Sequence, residues 1–138
     1  MRKRTKSREF ALQVLYRMDV TKDPSDVSLD NFWLSQTDEE PEAQVKEFAI
    51  QLVKGVEQNR KAIDEKVSYY AANWQLERMA VVDRNILRLA TFEILMCPQI
   101  PPKVSINEAI ELAKKFSDVE ASKFVNGILD KIKLEKDK

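Results

Sequence analysis

The sequence predicts an all-α fold, two packed three-helix bundles with about six to seven helices in 138 residues. Three observations carry that prediction. There are only two glycines and five prolines, and the prolines sit at positions 24, 41, 98, 101 and 102, so long stretches run uninterrupted. Apolar residues recur through those stretches at helical spacing. No strand-period alternation and no internal repeat stands out. A composition of 43% hydrophobic and 33% charged residues is that of a globular chain. At this length roughly two-thirds of the unfolded surface can be buried, enough for a real core.

The first helix is expected over about residues 6–19, where Phe10, Ala11, Val14, Leu15 and Met18 form one apolar stripe. Arg8, Leu12 and Tyr16 run along its edge, four apart. Asp23-Pro24-Ser25-Asp26 breaks the chain, and an acidic connection follows in which Leu29, Phe32 and Trp33 point to a short helical turn. Pro41 suits the opening of the next helix, where its missing N–H is not needed. Val45, Phe48, Ala49, Leu52, Val53 and Val56 carry that helix to about residue 59. Ile63, Val67 and Tyr70 support a third helix, and Asn73 and Trp74 open a connection. The fourth long helix covers about 79–96, on Ile86, Leu87, Leu89, Ala90, Ile94 and Leu95, and Pro98 with Pro101-Pro102 ends it.

Ser105 with Glu108 reads as a capping box ahead of Ala109, Ile110, Leu112, Ala113 and Phe116. Ser117 with Glu120 reads as a second, ahead of Val125, Ile128, Leu129 and Ile132. Gly127 sits inside the last helix at a cost of about 1 kcal/mol against alanine, which points to another backbone coming close. The expected organisation is one domain, 1–138, divided into an N-terminal helical subdomain of about 1–75 and a C-terminal one of about 76–138.

Composition excludes several chemistries. With no histidine there is no Ser–His or Cys–His pair and no histidine-ligated metal. One cysteine, Cys97, allows no internal disulfide and no zinc cluster, and a lone thiol is most easily kept in a reducing compartment. The two glycines are too far apart for a phosphate-cradling loop. No apolar run approaches the roughly 18 residues of a membrane span. The basic N-terminus has the look of an amphipathic targeting segment, but its residues build a good structural helix instead. A soluble, cytoplasmic protein without cofactors and without enzymatic activity is expected.

Net charge is zero but segregated. Residues 1–22 carry seven cations against Glu9 and Asp19, a net of +5; residues 23–47 carry eight acids against Lys46, a net of −7. Arg2, Lys3, Arg4, Lys6 and Arg8 fall within the first eight residues. Such a cluster holds a phosphate backbone locally, or else is a solvated, frayed end.

Phe124 lies at the margin of the last stripe, with Glu120 one turn earlier and Lys123 adjacent. An aromatic beside a cation and an acid stacks a base and bonds its edge, or else closes the core boundary. Pattern alone favours the boundary for Phe124, and Tyr16 likewise reads first as an amphipathic boundary residue. Asp64-Glu65 and Glu108/Glu111 imitate carboxylate dyads, but lysines surround them on polar faces. Cys97 has no activating base and reads as inert.

Four blocks carry a resemblance. They are REFALQVLY over 8–16, VDRNILRLA over 82–90 with Glu93 following, INEAIELAKKF over 106–116 and KFVNGILDKI over 123–132. In this order and spacing the chain resembles bacterial transcription antitermination factors of the NusB family. Only about 20–45 and the last few residues lack a match. The resemblance implies an all-helical pair of three-helix bundles. It implies pairing with the small-subunit ribosomal protein also called NusE, and binding of boxA sequences in nascent RNA. The pair would help RNA polymerase read through terminators, notably in ribosomal RNA operons.

It also implies site residues. The arginine-rich terminus maps onto Arg4 and Arg8, with Arg2 and Lys3 beside them; Thr5 interrupts the run. A second RNA surface maps onto Glu120, Lys123 and Phe124, with Phe116 nearby, where some relatives have aspartate in place of Glu120. The protein-partner surface maps onto Tyr16, Asp83 and Arg84. Two other readings compete. One is the RNA-binding domain of an RNA cytosine methyltransferase, which needs a large cofactor domain that does not follow residue 138. The other is a helical adaptor for proteins alone.

Overall fold

A computed structural model of the chain describes residues 2–36 and 40–137. The described residues form seven α-helices: α1 (Lys3–Thr21), α2 (Ser25–Ser35), α3 (Ala43–Gln58), α4 (Arg60–Tyr70), α5 (Val81–Met96), α6 (Pro102–Phe116) and α7 (Val119–Lys136). A 3-10 turn, Leu76–Arg78, bridges α4 to α5, and no strand occurs among the described residues. No described helix is long and apolar enough to cross a membrane.

The helix α5 is the hub. Asn85 to Thr91 are buried without interruption, so this helix hides its whole circumference, as only a central helix does. It packs against α1, α3, α4, α6 and α7. Around it α1 lies along α3 with α2 beside them, and α6 lies along α7. The expected stripes are the core: Ala11, Val14, Leu52, Val53, Ile63, Ile86, Leu87, Ile94, Val125, Leu129 and Ile132 are essentially inaccessible. Lys66 and Tyr70 of α4 both donate to the Glu135 carboxylate on α7. That bond, with the nearby negative charge, pushes the Tyr70 hydroxyl up to about 12.

Several local expectations are corrected. The acidic connection holds a full helix, α2, so four helices precede residue 75 where three were expected. Its entry is fixed by Glu57, whose carboxylate accepts from the Ser25 backbone N–H at 2.8 Å and from Ser25 Oγ at 2.6 Å. Leu29 and Phe32 bury its inner face. Neither capping box forms. The α6 helix starts four residues earlier than a Ser105 cap would place it, because Pro102 with its preset φ occupies the first turn. Ser105 is then interior and buried, and its Oγ donates to Glu93. At α7 the cap is Asp118, whose Oδ1 accepts from the Ala121 N–H at 2.7 Å; aspartate in extended backbone does this as well as serine.

The glycine expectation also reverses. A Cβ on Gly127 would meet nothing within 4 Å, so no backbone comes close there. It is Gly55 of α3 that admits a neighbour: a Cβ there would lie 2.1 Å from Cζ of Phe92 on α5.

Candidate nucleic-acid interface

The basic terminus divides into a surface part and a buried part. Arg2, Lys3, Arg4 and Lys6 are exposed at the start of α1. Lys3 reaches Glu42 at 2.9 Å, a half-exposed pair that salt screens and that counts for little. The Arg4 guanidinium lies 4.4 Å from the centre of the Phe48 ring, which keeps its plane ordered at the surface.

Arg8 belongs to the interior. It is 2% exposed, and its Nε and an Nη donate to both oxygens of Glu93 at 2.9 and 2.7 Å. Glu108 lies 3.6 Å away. Burial pushes the guanidinium pKa down, but the hydrogen bonds to Glu93 and the charges of Glu93 and Glu108 outweigh this and raise it, so it stays charged. The expectation that Arg8 meets a phosphate does not fit this geometry: the side chain is buried and its guanidinium is engaged by Glu93 on α5 and Glu108 on α6. The same neighbourhood holds Cys97, buried, with its thiol pKa pushed up by burial and by Glu93. Such a thiol is inert.

A second buried cluster ties the other end of α1 to α5. The Asp19 carboxylate accepts from Arg84 at 2.6 and 2.9 Å, from Asn85 at 2.9 Å and from Arg88 at 3.0 Å. Burial alone would raise the Asp19 pKa; the bonds from Arg84 and Asn85 and the charge of Arg88 hold it well below the usual carboxylate range. Arg88 continues to Asp64, which also takes Arg60, so Asp64 is a paired carboxylate and not half of an acid–base dyad. Arg84, expected on a partner surface, is half-buried and holds this cluster together.

The start of α7 presents the second expected surface. Glu120 and Lys123 are exposed and lie 3.3 Å apart. Phe124 is half-buried against the core, and its other side borders a cleft of about 300 Å³. Trp74 faces it there, ring centres 5.9 Å apart and planes at 75°. Arg78, Asp83 and Glu120 also line this cleft. Sequence periodicity passed over Trp74 because it stands in a connection with no period to violate; the available signal was a tryptophan in an otherwise polar segment.

Tyr16, 44% exposed, lines a different groove with Leu12, Arg17, Phe32, Val82 and Phe116. The structure therefore sorts two residues differently from the sequence. Phe116, expected beside Phe124, shares the groove of Tyr16; Asp83, expected beside Tyr16, shares the cleft of Phe124. No hydrogen bond, ion pair or ring contact among the described residues joins Arg2, Lys3 or Arg4 to Glu120, Lys123 or Phe124. Among the described residues no group of histidine, cysteine, aspartate or glutamate side chains is arranged to hold a metal ion.

Comparison with known proteins gives one answer by three routes. The family model described as NusB family matches residues 5–133. A transcription antitermination protein NusB of Anaeromyxobacter dehalogenans is 50% identical over 130 residues, 94% of this chain and 89% of that protein. The protein of that name from Thermodesulfovibrio yellowstonii is 40% identical over 141 residues, covering 96% and 93%. Among solved structures, T. maritima NusB superposes with a TM-score of 0.85 at 36% identity, over 98% of this chain and 92% of that one. A structure of antitermination factors NusB and NusE in complex with double-stranded RNA gives 0.87 at 27% identity, over 98% of both chains. With the helical order, the core stripes and the whole-length matches in agreement, the chain belongs to the NusB family.

Proposed function

We propose that this chain is a transcription antitermination factor. Together with the small-subunit ribosomal protein NusE it binds boxA-type single-stranded RNA in nascent ribosomal RNA transcripts. The complex joins elongating RNA polymerase and carries it through terminators. Family membership over nearly the whole chain supports this reading most directly. The surface chemistry agrees with it: unpaired RNA needs cations for phosphates and flat side chains for splayed bases, and no catalytic group. The protein acts by binding, without a cofactor, in the cytoplasm where transcripts emerge.

Its two helical halves, about 1–75 and 76–138, divide the work. Arg2, Lys3 and Arg4 supply phosphate contacts, and Glu120, Lys123 and Phe124 meet bases. Tyr16 with Phe116 offers the apolar groove for the protein partner. Arg8 and Arg84 act indirectly, by fixing α1 on α5.

Filter binding with boxA-type RNA, with and without NusE, tests the reading. Phe124→Ala should weaken binding by about 1–3 kcal/mol, roughly 5- to 150-fold. Its stability loss should fall short of the 3–5 kcal/mol usual for emptying a buried phenylalanine site. Phe124→Trp should bind nearly normally, since a stacking site tolerates the larger ring and a packed core does not. A wild-type chain that ignores this RNA even with NusE present refutes the assignment.

A further inference from the structure

We propose that Phe48 of α3 is a positioning residue for RNA: its ring holds the Arg4 guanidinium at a cleft between the first turn of α1 and the start of α6, where one backbone phosphate binds. This rests on the RNA-binding reading above and says how the basic terminus is made ready for its ligand.

The first observation is that the cations of the first turn are held differently. Lys3 is drawn to the start of α3 by Glu42 at 2.9 Å and Gln44 at 3.4 Å, so a phosphate must displace an acid to reach it. Arg4 is held without an acid. Its guanidinium lies 4.4 Å from the Phe48 ring centre, and a ring carries no oxygen to occupy its N–H donors. Phe48 itself is fixed. It is 8% exposed in the α3 stripe, and the Arg8 guanidinium, tied to Glu93, lies 5.5 Å from the same ring centre. Beside it Ser7 Oγ donates to the Val45 carbonyl at 2.8 Å and pins α1 to α3. A long side chain ordered before binding loses less freedom when the ligand arrives.

The second observation is the cleft. It holds about 400 Å³, and Arg2, Arg4, Gln99, Pro101, Val104 and Glu108 are on its wall. Its acid is already committed: Glu108 accepts from Thr5 Oγ1 at 2.7 Å and lies 3.6 Å from Arg8. An anion entering there meets Arg2 and Arg4 with no unmatched carboxylate opposing it. Pro101 and Val104 keep water from one side, which strengthens the attraction.

The test is a double-mutant cycle on the full chain, read by boxA-type RNA binding with NusE over a salt series. Phe48→Leu keeps the apolar bulk and removes the ring. It should weaken binding about two- to tenfold at fixed salt, the usual cost of ordering one long side chain. The log K against log salt slope should stay unchanged, because the number of phosphates neutralised is the same. In the Arg4→Ala background Phe48→Leu should have no further effect on binding. In NMR spectra of the wild type without RNA, the Arg4 side-chain protons should be shifted upfield by the ring; this measurement decides alone if Phe48→Leu does not fold. The proposal falls if the two losses add, since the ring then acts on the fold and not through Arg4. It falls equally if the Arg4 protons show no ring shift, or if Arg4→Ala binds like wild type. In each of these cases weakened binding by Phe124→Ala leaves the RNA-binding reading standing. A wild-type chain that binds no RNA removes both.

Discussion

The seam around α5 and the outer surfaces of α1 and α7 use the same residue types to opposite ends. Around α5, charges are buried and matched: Arg8 with Glu93, Asp19 with Arg84 and Arg88. The glycine there, Gly55, makes room for an aromatic ring. On the outside the cations of the first turn of α1 face water, Glu120 and Lys123 are exposed, and Gly127 faces open space. Residue type alone does not tell a structural charge from a binding one. What separates them is whether the helical period turns the side chain toward the core.

The largest test of that contrast is Arg8→Ala. Removing one member of a buried pair leaves the other charged and unpaired, which costs about 3–5 kcal/mol. The melting temperature should fall markedly in a thermal scan, while RNA affinity of the folded fraction stays near wild type. A variant as stable as wild type but deficient in RNA binding would return Arg8 to the surface.

Next comes Asp19→Asn. Its carboxylate accepts hydrogen bonds from four side chains, those of Lys22, Arg84, Asn85 and Arg88, and charge-assisted bonds of this kind contribute about 1.5–3 kcal/mol each when measured by deletion. The pH dependence has a definite sign. The folded-state pKa lies below the unfolded value of about 3.9, so the contribution is full above that value. It is lost as pH falls toward the folded pKa. Denaturant midpoints should therefore show wild type well ahead of Asp19→Asn at neutral pH, with the gap closing on acidification below about pH 4. A gap independent of pH would mean that packing, and not charge, holds α1 here.

The glycines give a smaller, opposed pair. Gly55→Ala drives a methyl into Phe92, and overpacking costs about 1–3 kcal/mol; Phe92 is only half-buried and can tilt, which puts the cost at the low end. Gly127→Ala fills open space on an exposed helix face and should stabilise by about 0.5–1 kcal/mol. Both are read from thermal melts, and equal signs would contradict the two packings described.

Much of this was legible before the fold. The stripes of α1, α3, α5, α6 and α7 are the core because a 3.6-residue period leaves little choice about which face is buried. Even the Arg8–Glu93 pair left a trace. Arg8 shares a face with Ala11, Leu12 and Leu15, and Glu93 with Ile86, Leu89 and Ala90, so opposite charges stand on two core stripes. The run of five cations in the first eight residues masks it. The caps are not legible because several residues near a helix start satisfy the same rule, and Pro102 and Asp118 outcompete the serines. Trp74 and the regrouping of Asp83 and Phe116 were not legible, since they depend on which helices meet.

The smallest expected effect concerns Arg2 and Arg4, and it bears most directly on the contrast. Both are exposed, so alanine at either should leave the unfolding free energy within about 0.5 kcal/mol of wild type. Their proposed contribution is to phosphates. Each contact to single-stranded RNA releases condensed counterions, so losing one lowers the magnitude of the log K against log salt slope by about 0.7. The loss should be the same whatever the bases, because phosphates carry no sequence. The double variant should thus bind more weakly at low salt, converge on wild type as salt rises, and keep whatever base preference the Phe124 cleft confers. An unchanged slope would make the first turn of α1 a solvated end, and RNA recognition would then rest on α7 and its neighbours alone. Arg8→Ala in the same titration is the internal control: a buried cation that touches no phosphate should leave the slope of the folded fraction where it was.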